Sequence, residues 1–477
     1  MSNKKEIYLE LKKSIGNNKV TDNLPERLCF SRDVTPICYK WIDLYKKPPY
    51  LCDIVVKPET VKDIQKVVKI ANKYKTSINV YGGGSGVVGG IIPISGGITI
   101  DMSRLDNIIN LDTESLTVEV ESGIIGQILE DYLNENNSTL RHFPQSFRSA
   151  EIGGLIATKS TGQFSSKYGG IEDFVVGLEV VLPNCRILKT SDKPRSSTGP
   201  DINNFFIGSE GIYGIITKAI LKIYQVPEDI KYQCFLYQDI YHALDSIRAI
   251  MQSGLRPPVV RLYNEKESEL KFKNIGFNYK GCLLILCFEG IKELADIECK
   301  LSNRICSENG GKSIGSKLGE LWFENRFDTK HIMEKEEEFG GISDAIEVSA
   351  SWSKMKNIYN KIENYFNIKG IIMASHFSHA YTNGISLYNI FYVNKKNEKD
   401  AIAVFYDIWD DVMKITLDNG GSISHHHGIG LVKSKMLKRE LGEGYALLKN
   451  LKESLDPGSV INPGKLLNGK DNNAGRY

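Results

Sequence analysis

The stretch Tyr81–Gly90, "YGGGSGVVGG", decides how the first half of the chain is read. It contains a literal GxGxxG at Gly84, Gly86 and Gly89, the spacing of a dinucleotide fingerprint. That fingerprint needs a helix directly after the last glycine, because the pyrophosphate sits on the helix N-terminus. The residues that follow, "GGIIPISGG" (89–97), place glycine pairs and Pro93 where that helix would form, so a nicotinamide-type fold is excluded. What remains is a strand running into consecutive glycines, whose N–H groups can approach an anion closely because no Cβ intrudes. The competing reading is a tight turn, but the window holds more glycine than one turn uses.

Upstream, "PETVKDIQKVVKIANKY" (58–74) sets Val61, Ile64, Val67, Val68 and Ala71 on one helical face, and "SINVY" (77–81) reads as the strand that delivers the glycines. Downstream, "GGITIDMS", "SLTVEVESG" and "VVGLEVVLPN" read as strands and "GQILEDYLNEN" as a helix. Past Pro227 the texture changes to strands alternating with lysine-rich helices, with "GCLLILCFEG" the most apolar strand. The expected division is 1–45, helical; 46–225, a Gly-dense α+β region; 226–400, a separate α/β unit; and 401–477, a helical tail around a histidine run.

The bulk properties fit that division. A chain of 477 residues can bury two sizeable cores. Sixty basic against fifty-eight acidic side chains give a net charge of +2 without long runs of either sign, so no nucleic-acid partner is expected and a small molecule is. Nine scattered cysteines, none in a CxxC pair, argue for reduced thiols in a cytoplasmic protein. No apolar stretch approaches the ~20 residues of a spanning helix, and neither a signal peptide nor a peroxisomal ending is read.

Two further blocks, at 141–181 and 194–223, pair glycine doublets with small hydroxyl residues. Such backbone suits a large planar ligand and equally suits packing on itself. Near the end, "SISHHHGIG" (422–430) presents His425, His426 and His427 in succession. Read as extended backbone, it would turn His425 and His427 to one side and His426 to the other. That supplies two convergent ligands, fewer than a zinc site uses, so no metal is expected, although "SHFSH" adds His376 and His379 nearby. Imidazoles that titrate near neutrality fit proton transfer better.

Three blocks in order, "GGGSG" (82–86), "PQS…IGG" (144–154) and "GSEGIYGIIT" (208–217), resemble the FAD-binding domain of the vanillyl-alcohol-oxidase superfamily, and "LDPGSVINPGKLL" (455–467) returns to it. Within that superfamily "PRSSTGPDI", "VVRLYN", "SHAYTNGISLY" and "SHHHGIG" resemble the alkylglycerone-phosphate synthase family of ether-lipid synthesis and its bacterial and archaeal relatives. The resemblance implies an α+β fold: a PCMH-type FAD-binding domain of two subdomains, a second α/β cap for substrate, and a helical C-terminal segment returning to the FAD site.

It also implies roles. Gly82, Gly83, Gly84, Ser85 and Gly86 would hold the FAD pyrophosphate. Gln145, Ser146, Ser149, Glu151, Thr158, Lys159, Ser160, Thr161, Glu210, Gly211, Gly214, Ile215 and Ile216 would line the rest of the cofactor. The loop has no His or Cys where some members attach flavin covalently, so FAD is expected to be noncovalent. Tyr388 would be the catalytic tyrosine, with His142, Arg261, His425, His426 and His427 around the flavin and the histidines and Arg261 lowering the phenol's pKa. The implied reaction exchanges the acyl chain of an acyl-dihydroxyacetone-phosphate-like substrate for a fatty alcohol through an adduct at flavin N5. A lipid-like substrate, peripheral membrane contact and a homodimer go with it. An ungapped reading puts Met333 where that family has a phosphate-binding arginine, with Arg326 and Lys330 the nearby cations. "NPGK" (462–465) instead resembles the D-2-hydroxyacid dehydrogenases, whose "GDGN" signature is missing at "SHAYTNG". A FAD-linked dehydrogenase or oxidase of D-lactate, glycolate or 2-hydroxyglutarate is therefore the rival reading.

Overall fold

The computed structural model describes residues 2–272, 279–328, 341–394 and 397–467. Met333 and Lys330 lie outside the described residues, so the family's arginine position receives no structural account.

Strands β1 (Val20–Thr21), β2 (Ile54–Val56), β3 (Ile78–Tyr81) and β4 (Ile98–Asp101) form a small sheet in the order β1-β2-β4-β3, parallel except for β1. The helix Val61–Tyr74 connects β2 to β3 and buries Ile64, Val67, Val68, Ile70 and Ala71. Thr60 caps it by accepting the N–H of Asp63, which satisfies one of the donors left open at a helix start. Burial of each large aliphatic side chain contributes about 1.5–3 kcal/mol. After β3 the glycine loop passes through turns and bends to β4 with no helix between them, as the sequence predicts.

A second sheet contains β5 (Ile108–Asp112), β6 (Thr117–Glu121), β8 (Val175–Val181), β9 (Ile187–Lys189) and β10 (Ile215–Lys222), antiparallel in the order β5-β6-β10-β8-β9. Strands β7 (Ser138–Thr139) and β11 (Tyr224–Gln225) pair separately.

The third sheet takes β12 (Asp229–Tyr237), β13 (Val259–Tyr263), β14 (Cys282–Gly290), β15 (Lys312–Ser313), β16 (Ile342–Ser351), β17 (Ile372–Ser378) and β18 (Gly384–Val393). Its order is β15-β12-β14-β13-β17-β18-β16, antiparallel throughout. The helices Ile240–Gln252, Lys292–Glu308, Trp352–Lys369 and Glu398–Asp418 pack against it. Register is what positions the site. Glu347 pairs with Tyr388, Tyr388 with His376, and His376 with Tyr263. Directly paired residues share a face, so one row across β16, β18, β17 and β13 projects Glu347, Tyr388, His376 and Tyr263 to the same side.

The tail closes the structure. Ile461 bridges to Ile78 at the start of β3, and Val460 and Ile461 join the apolar cluster of the first sheet. Among the described residues no helix is long and apolar enough to cross a membrane.

Candidate functional site

A cavity of about 730 Å³ opens between the glycine loop, the segments around Gln145–Gln163 and Glu210–Ile216, and the projecting face of the third sheet. Gly82 to Gly86 all line it, and among the described residues none of their five N–H groups donates to a protein acceptor. The loop is pressed against its support: a Cβ on Gly83 would lie 1.8 Å from the carbonyl oxygen of Ser149, and one on Gly84, at φ +66°, 2.2 Å from Tyr81 Oη. Only glycine permits that approach, and it leaves a row of donors facing the cavity.

Beside the loop, Glu151 has a buried Oε2 with no hydrogen-bond partner. Burial, reinforced by Asp101 and Asp106, pushes its carboxyl up to about 9, so it is protonated at neutral pH and offers a hydrogen to whatever fills the cavity. An anion cradle beside a buried, orphaned carboxyl donor fits a pyrophosphate-bearing cofactor.

The opposite wall carries Tyr388. Its ring stacks on His376 at 4.7 Å and on His426 at 6.1 Å, and meets His427 edge-on at 5.6 Å. Its hydroxyl has no hydrogen-bond partner among the described residues, and Tyr388 lines the cavity. The phenol is held above its ordinary value by burial and by the carboxylates of Asp344 and Glu347, with Arg261 opposing only in part. The expectation that the histidines and Arg261 would lower it is therefore not met. His376, His379 and His426 are all lowered, burial first, and His425 falls to about 4. These imidazoles are neutral at pH 7 because the enclosed site disfavours their charged form.

The histidine run is not extended. Residues 425–427 bend, which defeats the alternation the sequence reading relied on. His425 and His426, adjacent in sequence, converge with Nδ1 atoms 3.0 Å apart, and with His379 they form a trio whose ligand atoms lie within 4.8 Å of one another. His427 instead turns its Nδ1 toward Glu347 at 3.4 Å. Glu347 organises the bend: it accepts the N–H groups of His426 and His427 and the hydroxyl of Ser424, and is paired with Lys433 at 2.6 Å. Glu210 holds the next turn by accepting the N–H groups of Ile429 and Gly430.

Most of the residues singled out from sequence line this one cavity, including Tyr388, Arg261, His426, His427, the glycine loop, Gln145, Ser146, Ser149, Glu151, Thr158, Ser160, Thr161, Glu210, Gly211, Gly214, Ile215 and Ile216. Three do not. His142 is wholly buried behind the wall, its Nε2 2.9 Å from Ser160 Oγ and its ring edge-on to Phe174. Burial lowers it to about 3, so it packs as a neutral core histidine. Lys159, at φ +54°, points outward to Glu172 at 3.8 Å. His425 stands one layer back, its Nε2 3.0 Å from Tyr381 Oη. Sequence reading missed Glu347, Lys433, Glu267 and Lys271. A lone carboxylate inside the apolar strand around "AIEVSA" was the available signal for Glu347. Lys271 lines the cavity next to Arg261 with its Nζ 5.3 Å from the Tyr263 ring centroid.

With this geometry in hand, the comparisons define the class. The family model for FAD linked oxidases, C-terminal domain, matches residues 226–466, and that for the FAD binding domain matches residues 52–191. The chain belongs to the FAD-linked oxidase family and is a flavin-dependent enzyme that uses FAD. Within it the likeness is to alkyldihydroxyacetonephosphate synthases. The Dictyostelium discoideum protein of that name is 31% identical, over 97% of this chain and 80% of its own length. A solved structure of an alkyldihydroxyacetonephosphate synthase superposes with a TM-score of 0.81 at 28% identity, covering 96% of this chain and 84% of that one. The "Uncharacterized FAD-linked oxidoreductase YgcU" of Escherichia coli strain K12 is 30% identical, over 95% of this chain and 99% of its own.

Proposed function

We propose that the protein holds FAD noncovalently and exchanges the acyl chain of an acyl-dihydroxyacetone-phosphate-like substrate for a fatty alcohol. FAD, when bound, supplies the redox-active ring at which the chains are exchanged. The chain's own residues do the rest. Gly82 to Gly86 receive the pyrophosphate, and Glu151 donates a hydrogen bond beside it. Tyr388 passes its phenolic proton to the neutral imidazole of His426, takes up the substrate C1 proton in its place and returns it, with His427 beside the phenol, and Arg261 with Lys271 faces the substrate's anionic group. The observation that carries this reading is the unpartnered Tyr388 hydroxyl, set among three imidazoles in the same cavity as the glycine cradle.

The division into 46–225 for cofactor, 226–400 for substrate and 401–477 as a returning segment belongs to the same proposal, as do a homodimer, a lipid-like substrate with peripheral membrane contact, and a cytoplasmic location. The rival is a D-2-hydroxyacid dehydrogenase or oxidase, in which a neutral histidine takes the hydroxyl proton and Arg261 and Lys271 grip the carboxylate. Anaerobic mixing separates them. Bleaching of the flavin by D-lactate or D-2-hydroxyglutarate favours the rival, and acyl-for-alkyl exchange without bleaching supports the exchange reaction.

A further inference from the structure

Arg261 is held by a chain of two groups that the proposed reaction does not itself use. Its guanidinium Nη1 lies 3.0 Å from His376 Nε2, and His376 Nδ1 lies 2.9 and 3.0 Å from the two oxygens of Glu267. A guanidinium has no lone pair and only donates, so Nε2 must be the acceptor and the ring proton must sit on Nδ1, donated to the carboxylate. Glu267 is 4% exposed and His376 7%, so both hydrogen bonds are made away from bulk water.

Local sequence builds this arrangement. Strand β13 ends at Tyr263, and Asn264 then opens the helix Glu265–Phe272, its Oδ1 accepting the N–H of Glu267 at 2.9 Å. The pattern Asn-x-x-Glu ordinarily lets the glutamate reach back to the cap's own N–H. Here that N–H is taken by the carbonyl oxygen of Ser375 on β17, while the N–H of Ser375 returns to Asn264 Oδ1. The clamp fixes the helix start beside β17 and frees the Glu267 carboxylate to reach His376, one residue on. His376 in turn stacks on Tyr388 with ring planes 19° apart.

We propose that Glu267 and His376 are positioning residues: the carboxylate locks the Nδ1–H tautomer of His376, whose Nε2 then aims Arg261 into the cavity while its ring backs Tyr388. The proposal rests on the flavin-pocket reading only in taking Arg261 and Tyr388 as site residues.

Two arms test it on the full-length protein with FAD bound. In histidine-selective ¹⁵N spectra, one ring assigned by its loss in His376→Gln shows the Nδ1–H tautomer in the wild type and in Arg261→Ala, and a mixture or the other tautomer in Arg261→Ala/Glu267→Gln, with flavin retained and the melting temperature recorded. In turnover, loss of a charge-assisted hydrogen bond lowers kcat/KM by about tenfold to a hundredfold in Glu267→Gln. Arg261→Ala lowers it further, and the double variant is no worse than Arg261→Ala alone, because the two act in series. A tautomer lost in Arg261→Ala alone, or unchanged in Arg261→Ala/Glu267→Gln, overturns the proposal, and so do additive losses. The spectra need no substrate, so a failure of the proposed reaction leaves this arm intact. Should Glu267→Gln not fold, Glu267→Asp keeps the charge but shortens its reach to His376, and kcat/KM unchanged from wild type in that variant overturns the positioning role.

Discussion

The carboxylate of Glu347 and the ammonium of Lys433 meet at 2.6 Å with no exposed surface on either residue. The pair joins β16 to the segment after the histidine run, and the same carboxylate fixes the backbone of His426 and His427. Its pKa lies well below the ordinary carboxylate value: burial alone would raise it, but Lys433 and the histidines outweigh that. Lys433→Met strands a buried charge and is expected to cost about 3–5 kcal/mol of unfolding free energy. Denaturant titration of this variant and of Glu347→Gln/Lys433→Met measures it. The double variant should recover much of the loss, and a double variant as unstable as Lys433→Met would contradict the account.

Tyr388→Phe removes one hydroxyl from the cavity and breaks no hydrogen bond among the described residues. It should bind FAD, melt within about a degree of wild type and lose on the order of 10²–10⁴ of kcat in the exchange assay, the range for removing a general acid–base. Unchanged turnover would argue for a different proton carrier, and absence of any turnover in both forms for a flavin-binding protein without catalysis.

Burial holds His376, His379, His425 and His426 in their neutral forms, which sets the acid limb of the rate profile. His425, lowered to about 4 by burial, keeps its neutral form far below the ordinary histidine range. Activity should therefore persist as pH falls through 6.5 and decline only toward about 4. An acid limb centred near 6.5 would show that an unshifted histidine controls the reaction.

Glu151 should make the apoprotein sensitive to alkali. Its folded value of about 9 lies above the unfolded value of 4.5, so its contribution is fully present below 4.5 and is lost as pH rises toward 9. Across that window the wild-type apoprotein should lose up to about 1.4 kcal/mol per pH unit that Glu151→Gln does not. Parallel stability curves for the two would place the carboxyl in a more solvated setting.

The trio His379, His425 and His426 has the spacing of a metal site, but four of its six ring nitrogens already have hydrogen-bond partners within the protein. His379 Nδ1 bonds Ser165 Oγ at 2.6 Å, and His425 uses one nitrogen on Tyr381 and the other on His426. Elemental analysis of purified protein should find no stoichiometric metal, and EDTA should leave activity unchanged. One zinc per chain, lost together with activity, would reverse that reading.

Local pattern determined much of this protein. The helix Val61–Tyr74, the strand ahead of the glycines and the missing helix behind them all follow from periodicity and from the positions of glycine and proline, which act over a few residues. The order of the three glycine blocks and the tyrosine ahead of the histidines was enough to point to a flavin enzyme. Tertiary structure alone decided which side chains meet. The alternation read into "SISHHHGIG" failed because Glu347, some eighty residues earlier, captures two of its backbone N–H groups and bends it. His142 looked functional until burial placed it behind the wall, and the histidines looked set to lower the Tyr388 pKa until burial left His376 and His426 neutral. Hydrogen bonds between distant segments and the loss of water around a charge depend on how the whole chain packs, and no spacing within one strand carries that information.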